Sequence, residues 1–245
     1  MATNYDLIAE QYKRAKLQPW RAHIESFTFL GVIGDLAGMK VVDLACGEGF
    51  YSRLLRAHGA ASVTGVDLSE GMIALAREQE AQEPLGVQYL VGDGRDLQLE
   101  TEHDLVAAAY LLNYATSGAE LAAMLRGVAR CLKPGGRFVT MNSNPSLHFP
   151  SAPSYRKYGF ETRVPGAWQE GEPFHWVFHL EDGAIEIENY HLNVATHEDA
   201  CRTAGFREIR WHEPRLSPHA ADAADGYYWT AFLSHPPVIC LECVK

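Results

Sequence analysis

Apolar and polar positions alternate along this chain with two different periods, and the switches between them mark the elements. From Tyr5 to Lys16, apolar or aromatic residues fall at Tyr5, Ile8, Ala9 and Tyr12, a helical stripe. Pro19 breaks it, and Trp20 to Ile33 reads as a second helix rich in aromatics, ended by Gly31 and Gly34. Val41 to Phe50 reads as a buried strand running into a glycine-bracketed turn that opens a helix. Ser62 to Val66 is a second strand, delivering Asp67 at its end. Ser69 can cap the helix that follows, with Glu70 in its first turn. Strands over 87–97, ending in the acid Asp93, over 104–115 and over 132–141 complete an alternation of strand and helix that implies a mostly parallel sheet. Beyond Asn142 the pattern changes. Residues 173–180 and 184–193 alternate around a turn containing Asp182 and Gly183, a β-hairpin. Thr196 with Asp199 reads as a capping box opening a short helix that ends at Gly205, and 206–211 and 238–245 read as the last two strands.

The 245 residues contain no Pro/Gly/Ser-rich linker, so one domain is expected over 1–245. Its parts are N-terminal helices (1–38), a core (39–142), an insertion (143–195) and a completion of the sheet (196–245). A formal charge of −10 argues against a nucleic-acid partner, whose phosphates need concentrated Lys and Arg. The N-terminal residues lack an apolar signal core and no apolar run approaches membrane-spanning length, so a cytoplasmic protein without membrane contact is expected. Five cysteines suit a reduced compartment better than a disulfide framework. Cys240 and Cys243 spell C-x-x-C, but within a strand residues three apart point to opposite faces. No metal site is expected.

The candidate chemistry lies in the turn after the first strand. Gly47 and Asp67 are twenty residues apart, the spacing that sets a carboxylate beside a ribose in a strand–helix–strand nucleotide fold. A dinucleotide site wants a third glycine where this chain has Ser52, and Glu48 in the turn would repel a diphosphate. The residues DLACGEGF, 43–50, instead resemble the first motif of class I S-adenosylmethionine-dependent methyltransferases, whose ligand carries a sulfonium and no phosphate. VTGVDLSEGMIALA, VQYLVGDGRDL, DLVAAAYLLNYA and LKPGGRFVTM resemble the family's later blocks, in order, so that the likeness covers Lys40 to Asn142. It implies an α/β, Rossmann-like fold: a seven-stranded, mostly parallel sheet closed by an antiparallel pair, with N-terminal helices and an inserted hairpin cap. Asn113-Tyr114-Ala115 stands where amino-methylating nucleic-acid enzymes carry D/N-P-P-Y/F.

The resemblance implies S-adenosylmethionine as cofactor and assigns roles. Asp67 takes the ribose hydroxyls, and Gly47 and Gly49 let the backbone pass close. Met72 lies against adenine, Asp93 accepts from the adenine amino group with Gly94, Arg95 and Asp96 adjacent, and Ala109 and Tyr110 face the sulfonium. Tyr12 and Arg21 come from the N-terminal helices, where an arginine could pair with the methionine carboxylate or lie in solvent. Asp43 is expected to orient the turn.

Taken with YDLIAEQYKRAKLQPWR, residues 43–78 resemble the toxoflavin synthase branch, N-methyltransferases of azapteridine toxin biosynthesis. That implies two successive ring-nitrogen methylations of a didemethylated pyrimidotriazine. Aromatics crowd the region after the fifth strand and could grip a flat ring by offset stacking or build core. Tyr114, His175, Trp176 and Tyr190 are the substrate-side candidates, with Phe174 and Phe178 read as core. If a general base acts, His175, His179 or His191 supplies it. A small-molecule O-methyltransferase is the nearest alternative. An NAD(P)-dependent oxidoreductase is more distant, because Tyr12-x-x-x-Lys16 lies upstream of the glycine turn, where short-chain dehydrogenases do not carry that pair. Oligomeric state is not readable.

Overall fold

The computed structural model describes residues 5–94, 99, 102–220 and 227–245, and of residues 5–9 the backbone alone. Arg95 and Asp96, and the side chains of Tyr5, Ile8 and Ala9, lie outside the described residues. A seven-stranded sheet forms the centre. Its strands are β1 (Lys40–Leu44), β2 (Ser62–Asp67), β3 (Gln88–Val91), β4 (His103–Ala109), β5 (Leu132–Ser143), β9 (Glu208–His212) and β10 (Val238–Val244). Their order across the sheet is β3-β2-β1-β4-β5-β10-β9. The first five are parallel, whereas β10 runs antiparallel to both β5 and β9.

Successive side chains on a strand face opposite ways, and this divides the apolar residues into two clusters. Val41, Leu105, Val139 and Cys240 belong to one, with Phe29, Ile33, Leu55 and Ile73 from helices. Val42, Val106, Phe138 and Cys243 belong to the other, with Leu121, Leu125 and Cys201. Cys240 and Cys243 thus face apart.

The helices on either side are α1 (Tyr5–Ala15), α2 (Phe27–Ile33), α3 (Phe50–Ala57), α4 (Glu70–Gln82), α5 (Gly118–Cys131), α6 (Val194–Thr203) and a short α7 (Thr230–Ser234). Among the described residues, no helix is long and apolar enough to cross a membrane. Ser69 caps α4, its side chain accepting from the N–H of Met72. The expected start of α6 is corrected. Asn193 is the cap, accepting from the Thr196 N–H at 2.9 Å, so the helix opens at Val194 while the Thr196 hydroxyl bonds Glu170 instead. The second expected helix also differs: Arg21–Ser26 is a π-helix leading into α2. Such turns are rare and concentrate at functional sites.

A second, antiparallel sheet joins β6 (Phe160–Arg163), β7 (Pro173–Leu180) and β8 (Gly183–Tyr190). The hairpin β7–β8 matches the alternation, but β6 was not foreseen, being four residues with no period of their own. Phe174, Trp176 and Phe178 share the buried face of β7. They meet an aromatic layer in which Phe160 stacks on Trp176 at 4.9 Å, Phe149 on Phe174 at 5.0 Å, and Trp20 lies 5.1 Å from Phe160. Much of the aromatic excess is therefore packing that fastens the small sheet to the N-terminal helices.

Candidate active site

A cavity of about 320 Å³ opens at the carboxyl ends of β1, β2 and β4, where open α/β sheets bind ligands. Two non-glycine residues on its wall hold left-handed backbones, Ala45 after β1 (φ 55°) and Tyr110 after β4 (φ 67°). Strain of this kind persists where surrounding structure imposes it, and it gathers at functional sites.

Asp67 ends β2 with both carboxylate oxygens engaged. Oδ2 accepts the Gly47 N–H at 2.8 Å and Oδ1 the Ser69 N–H at 2.9 Å. Each oxygen keeps a second lone pair. Burial pushes the pKa of Asp67 up against the opposing pull of those two donors. Gly47 is left-handed (φ 57°) and faces the cavity. Gly49 does not line it. A Cβ there would lie 2.3 Å from the Tyr89 hydroxyl, so Gly49 serves close packing at the start of α3.

Two more charged groups flank the turn. Lys16 Nζ donates to Glu48 Oε2 at 3.0 Å, the two side chains 10% and 6% exposed, and lies over the Tyr12 ring at 5.1 Å. Burial works against the Lys16 charge, but Glu48 and Tyr12 outweigh it and its pKa stands above the ordinary value. Asp43 accepts from Ser52 Oγ at 2.6 Å. Burial drives its pKa up to about 7, the serine bond and Lys16 opposing.

The π-helix contributes a buried network. Arg21 Nη1 donates to Glu25 Oε2 at 2.8 Å, the two side chains 3% and 1% exposed. Glu25 also accepts the hydroxyls of Tyr51, at 2.6 Å, and Tyr110. Arg21 Nε is buried without a partner. Desolvation opposes the guanidinium charge, yet Glu25 and the phenols of Tyr110, Tyr12 and Tyr51 hold its pKa above the usual arginine range. This network borders a second, narrow chamber of about 20 Å³ that shares Tyr12, Arg21, Tyr110 and Tyr114 with the first and continues to Trp176, Phe178, Ile187 and Asn189.

Of the residues picked from sequence, Tyr12, Arg21, Gly47, Asp67, Met72, Asp93, Gly94, Ala109 and Tyr110 surround the large cavity. Tyr114 lies between the chambers and Trp176 lines the smaller one. Besides Gly49, four candidates are placed elsewhere. His175, His179, His191 and Tyr190 line neither chamber. His175 pairs with Glu186 at 2.8 Å and His179 with Glu161 at 3.0 Å, because alternation on β7 turns both away from Trp176 and Phe178. His191 stacks on Trp168 at 4.0 Å, and burial lowers its pKa. Tyr190 donates to Glu188 at 2.7 Å. Arg21 is buried, not solvated, and Phe178, read as core, borders the small chamber. Lys16 and Glu25 were missed. The four-residue step from Arg21 to Glu25 was the available signal for the second; Lys16 and Glu48 meet only through the fold.

This strand order, with the antiparallel β10 inserted beside β5, is the class I methyltransferase fold. A solved S-adenosylmethionine dependent methyltransferase from Mesorhizobium loti shares it at a TM-score of 0.64 and 22% identity, over 94% of this chain and 100% of that one. Residues 41–136 match a family model described as a methyltransferase domain. The fold is thus the Rossmann-like fold of class I methyltransferases, and residues 41–136 are similar to a methyltransferase domain. The ubiquinone biosynthesis O-methyltransferase of Pseudomonas syringae pv. tomato is 31% identical over 118 residues, 46% of this chain and 49% of that protein. The N-demethylindolmycin N-methyltransferase of Streptomyces griseus is 25% identical over 182 residues, 74% of each. The chain spans about half the length of the first of these curated relatives.

Proposed function

We propose that the protein transfers a methyl group from S-adenosylmethionine to a ring nitrogen of a small, planar heteroaromatic molecule. The observation that carries this is Asp67, held at the end of β2 by two backbone N–H groups with a lone pair left on each oxygen for a ribose diol. The donor set fits this cofactor. Met72 offers a soft surface for adenine, and Asp93 an acceptor for its amino group. Lys16 and Arg21 are the cations for the methionine carboxylate. Asp43 on the cavity wall suits the amino group and sulfonium but opposes a diphosphate, which disfavours a nicotinamide dinucleotide. When bound, S-adenosylmethionine supplies an electrophilic methyl group on a positive sulfur. The chain's task is then to hold the acceptor in line, and such alignment supplies much of the acceleration. Trp176, Tyr110 and Tyr114 are the surfaces for a ring entering edge-first.

The N-methylation reading draws support from the likeness to the N-demethylindolmycin enzyme. The finer reading, successive methylation of a didemethylated toxoflavin-type pyrimidotriazine, rests on the resemblance of residues 5–21 and 43–78 to that branch. A small-molecule O-methyltransferase is the second reading, favoured by the ubiquinone O-methyltransferase match. Calorimetric titration with S-adenosylhomocysteine and with NADH tests the cofactor. Binding of the first and not the second is expected; the reverse overturns the proposal. Incubation with S-adenosylmethionine and a panel of heterocycles and phenols, read by mass spectrometry, separates nitrogen from oxygen acceptors.

A further inference from the structure

Both cations on the wall of the large cavity, Lys16 and Arg21, are backed by carboxylates that stand outside it. Lys16 pairs with Glu48 and Arg21 with Glu25, and neither glutamate lines either chamber. At a distance an ion pair is felt as a dipole and not as a charge. Asp43 and Asp67, also on the wall, are held instead by neutral donors, the Ser52 hydroxyl and two backbone N–H groups.

Glu25 is a buried carboxylate at the centre of its own cage. It accepts from Arg21 Nη1 at 2.8 Å, from the Tyr51 hydroxyl at 2.6 Å and from the Tyr110 hydroxyl. All three donors line the large cavity, and the carboxylate lies behind them. The π-helix, α3 and the turn after β4 therefore meet on one pair of oxygens. Burial and Glu25 push the phenols of Tyr51 and Tyr110 up, so both stay neutral donors. Other faces of the guanidinium meet rings: Trp20 at 4.5 Å, Phe178 at 5.2 Å and Tyr110 at 5.3 Å. A guanidinium does not shed its proton, and one buried this deeply is little screened by solvent. Glu25 is what offsets its charge.

Resting on the methyltransferase reading, we infer that Glu25 is a positioning residue: acting through Arg21, it sets how the cavity distinguishes S-adenosylmethionine from S-adenosylhomocysteine. The two ligands share their adenosine, amino group and carboxylate. They differ in one methyl group and in the positive charge on sulfur, which methyl transfer removes. Arg21 keeps N–H donors for an anion in contact, the unpartnered Nε among them. Glu25 cancels the longer-range repulsion that a bare guanidinium would exert on a sulfonium. The charged cofactor then feels Asp43 and Asp67 without opposition from Arg21. The neutral product loses that attraction once the methyl group has left.

The test titrates the full chain at pH 8, where Asp43 is ionised, with S-adenosylmethionine, S-adenosylhomocysteine and sinefungin. Sinefungin carries an ammonium-bearing carbon in place of the sulfonium. The readout is the ratio of affinities, because a loosened wall weakens all three ligands alike. In Glu25→Gln both positive ligands should lose about tenfold relative to S-adenosylhomocysteine, the effect of one charge bordering the site at an effective dielectric constant of about 20. That variant leaves the guanidinium uncompensated, so the doubly neutral Arg21→Gln/Glu25→Gln is titrated beside it. There all three ligands should weaken together, with ratios within about twofold of the parent's. An unchanged ratio in Glu25→Gln would overturn the inference. So would a loss confined to S-adenosylmethionine, which would point to the methyl group. An altered ratio in the double variant, by about tenfold, would show that Arg21 is felt despite Glu25 and would overturn it too. These outcomes leave the cofactor reading standing, whereas failure of the parent chain to bind S-adenosylhomocysteine removes the reading beneath.

Discussion

Gly47 and Asp67, twenty residues apart, are joined directly: the glycine N–H donates to the aspartate carboxylate at 2.8 Å. The same carboxylate therefore shapes the turn and faces the cavity. Asp67→Ala should lower S-adenosylhomocysteine affinity about 10- to 100-fold, the loss expected for hydrogen bonds to a charged acceptor. It should also lower the melting temperature, since the Gly47 and Ser69 N–H groups lose their acceptor. Asp67→Asn keeps one acceptor and should recover part of both. Calorimetric titration and thermal melts check the two effects separately. Unchanged affinity in the alanine variant would remove the ribose role.

The two glycines of the turn should behave differently. At Gly49 a methyl group meets the Tyr89 ring at 2.3–2.9 Å on a left-handed backbone, and the same ring is crowded from Gly65. Gly49→Ala should cost about 3 kcal/mol of stability. At Gly47 the nearest atoms lie 3.5 Å and 4.0 Å away, so Gly47→Ala should cost only about 1 kcal/mol in backbone strain. Its methyl group narrows the cavity, and cofactor affinity should fall about tenfold. Denaturant midpoints and titrations on both variants separate packing from binding.

How much of this was legible follows from where each signal lives. The strand blocks and the Gly47–Asp67 interval are local, and the parallel sheet and cofactor cavity grow from them with little ambiguity. The hairpin was also visible, because alternation over 173–180 is a local property. The same alternation already put His175 and His179 opposite Trp176, so choosing them as candidate bases weighed residue chemistry above placement. What escaped was set by long-range pairing. β6 is ordered by β7, Lys16 meets Glu48 across 32 residues, and Tyr110 reaches Glu25 across 85. The π-helix escaped because a single helical period describes 20–33 well enough on paper.

The histidines should be dispensable to the chemistry. His175→Ala, His179→Ala and His191→Ala should each leave the turnover number within about threefold, since none borders either chamber. Trp176→Ala should raise the acceptor KM by tenfold or more through loss of a stacking surface, with cofactor affinity little changed. Steady-state kinetics on a methylated heterocycle found in the panel would decide this. A loss of more than 100-fold in turnover for one histidine would restore it as a base.

The Arg21–Glu25 pair should show the asymmetry of a buried ion pair. Glu25→Ala leaves a buried guanidinium uncompensated and should cost about 4 kcal/mol, whereas replacing both partners with Leu should cost far less. The double variant would fold yet lose the cation at the chamber boundary. Equilibrium unfolding of the two proteins tests the first statement, and S-adenosylhomocysteine titration the second.

Asp43 makes cofactor binding and stability depend on pH in opposite senses. Its folded pKa is raised to about 7 from 3.8 by burial, so the folded chain holds a proton that the unfolded chain releases. The stabilisation from this group is complete below the unfolded value and is lost as pH rises through 7. Asp43→Asn, permanently neutral and still able to accept from Ser52, should therefore be about 4 kcal/mol more stable than the parent at pH 8 and nearly equal to it at pH 4. A ligand with positive groups in this cavity favours the ionised carboxylate. Binding of S-adenosylmethionine at pH 6 should then expel a proton, and affinity should rise between pH 5 and 7.5. Titrations in buffers of different ionisation enthalpy count that proton. The count should drop in Asp43→Asn, leaving only the smaller share of Asp67, whose pKa is also raised; an undiminished count in the variant would place the titrating group elsewhere.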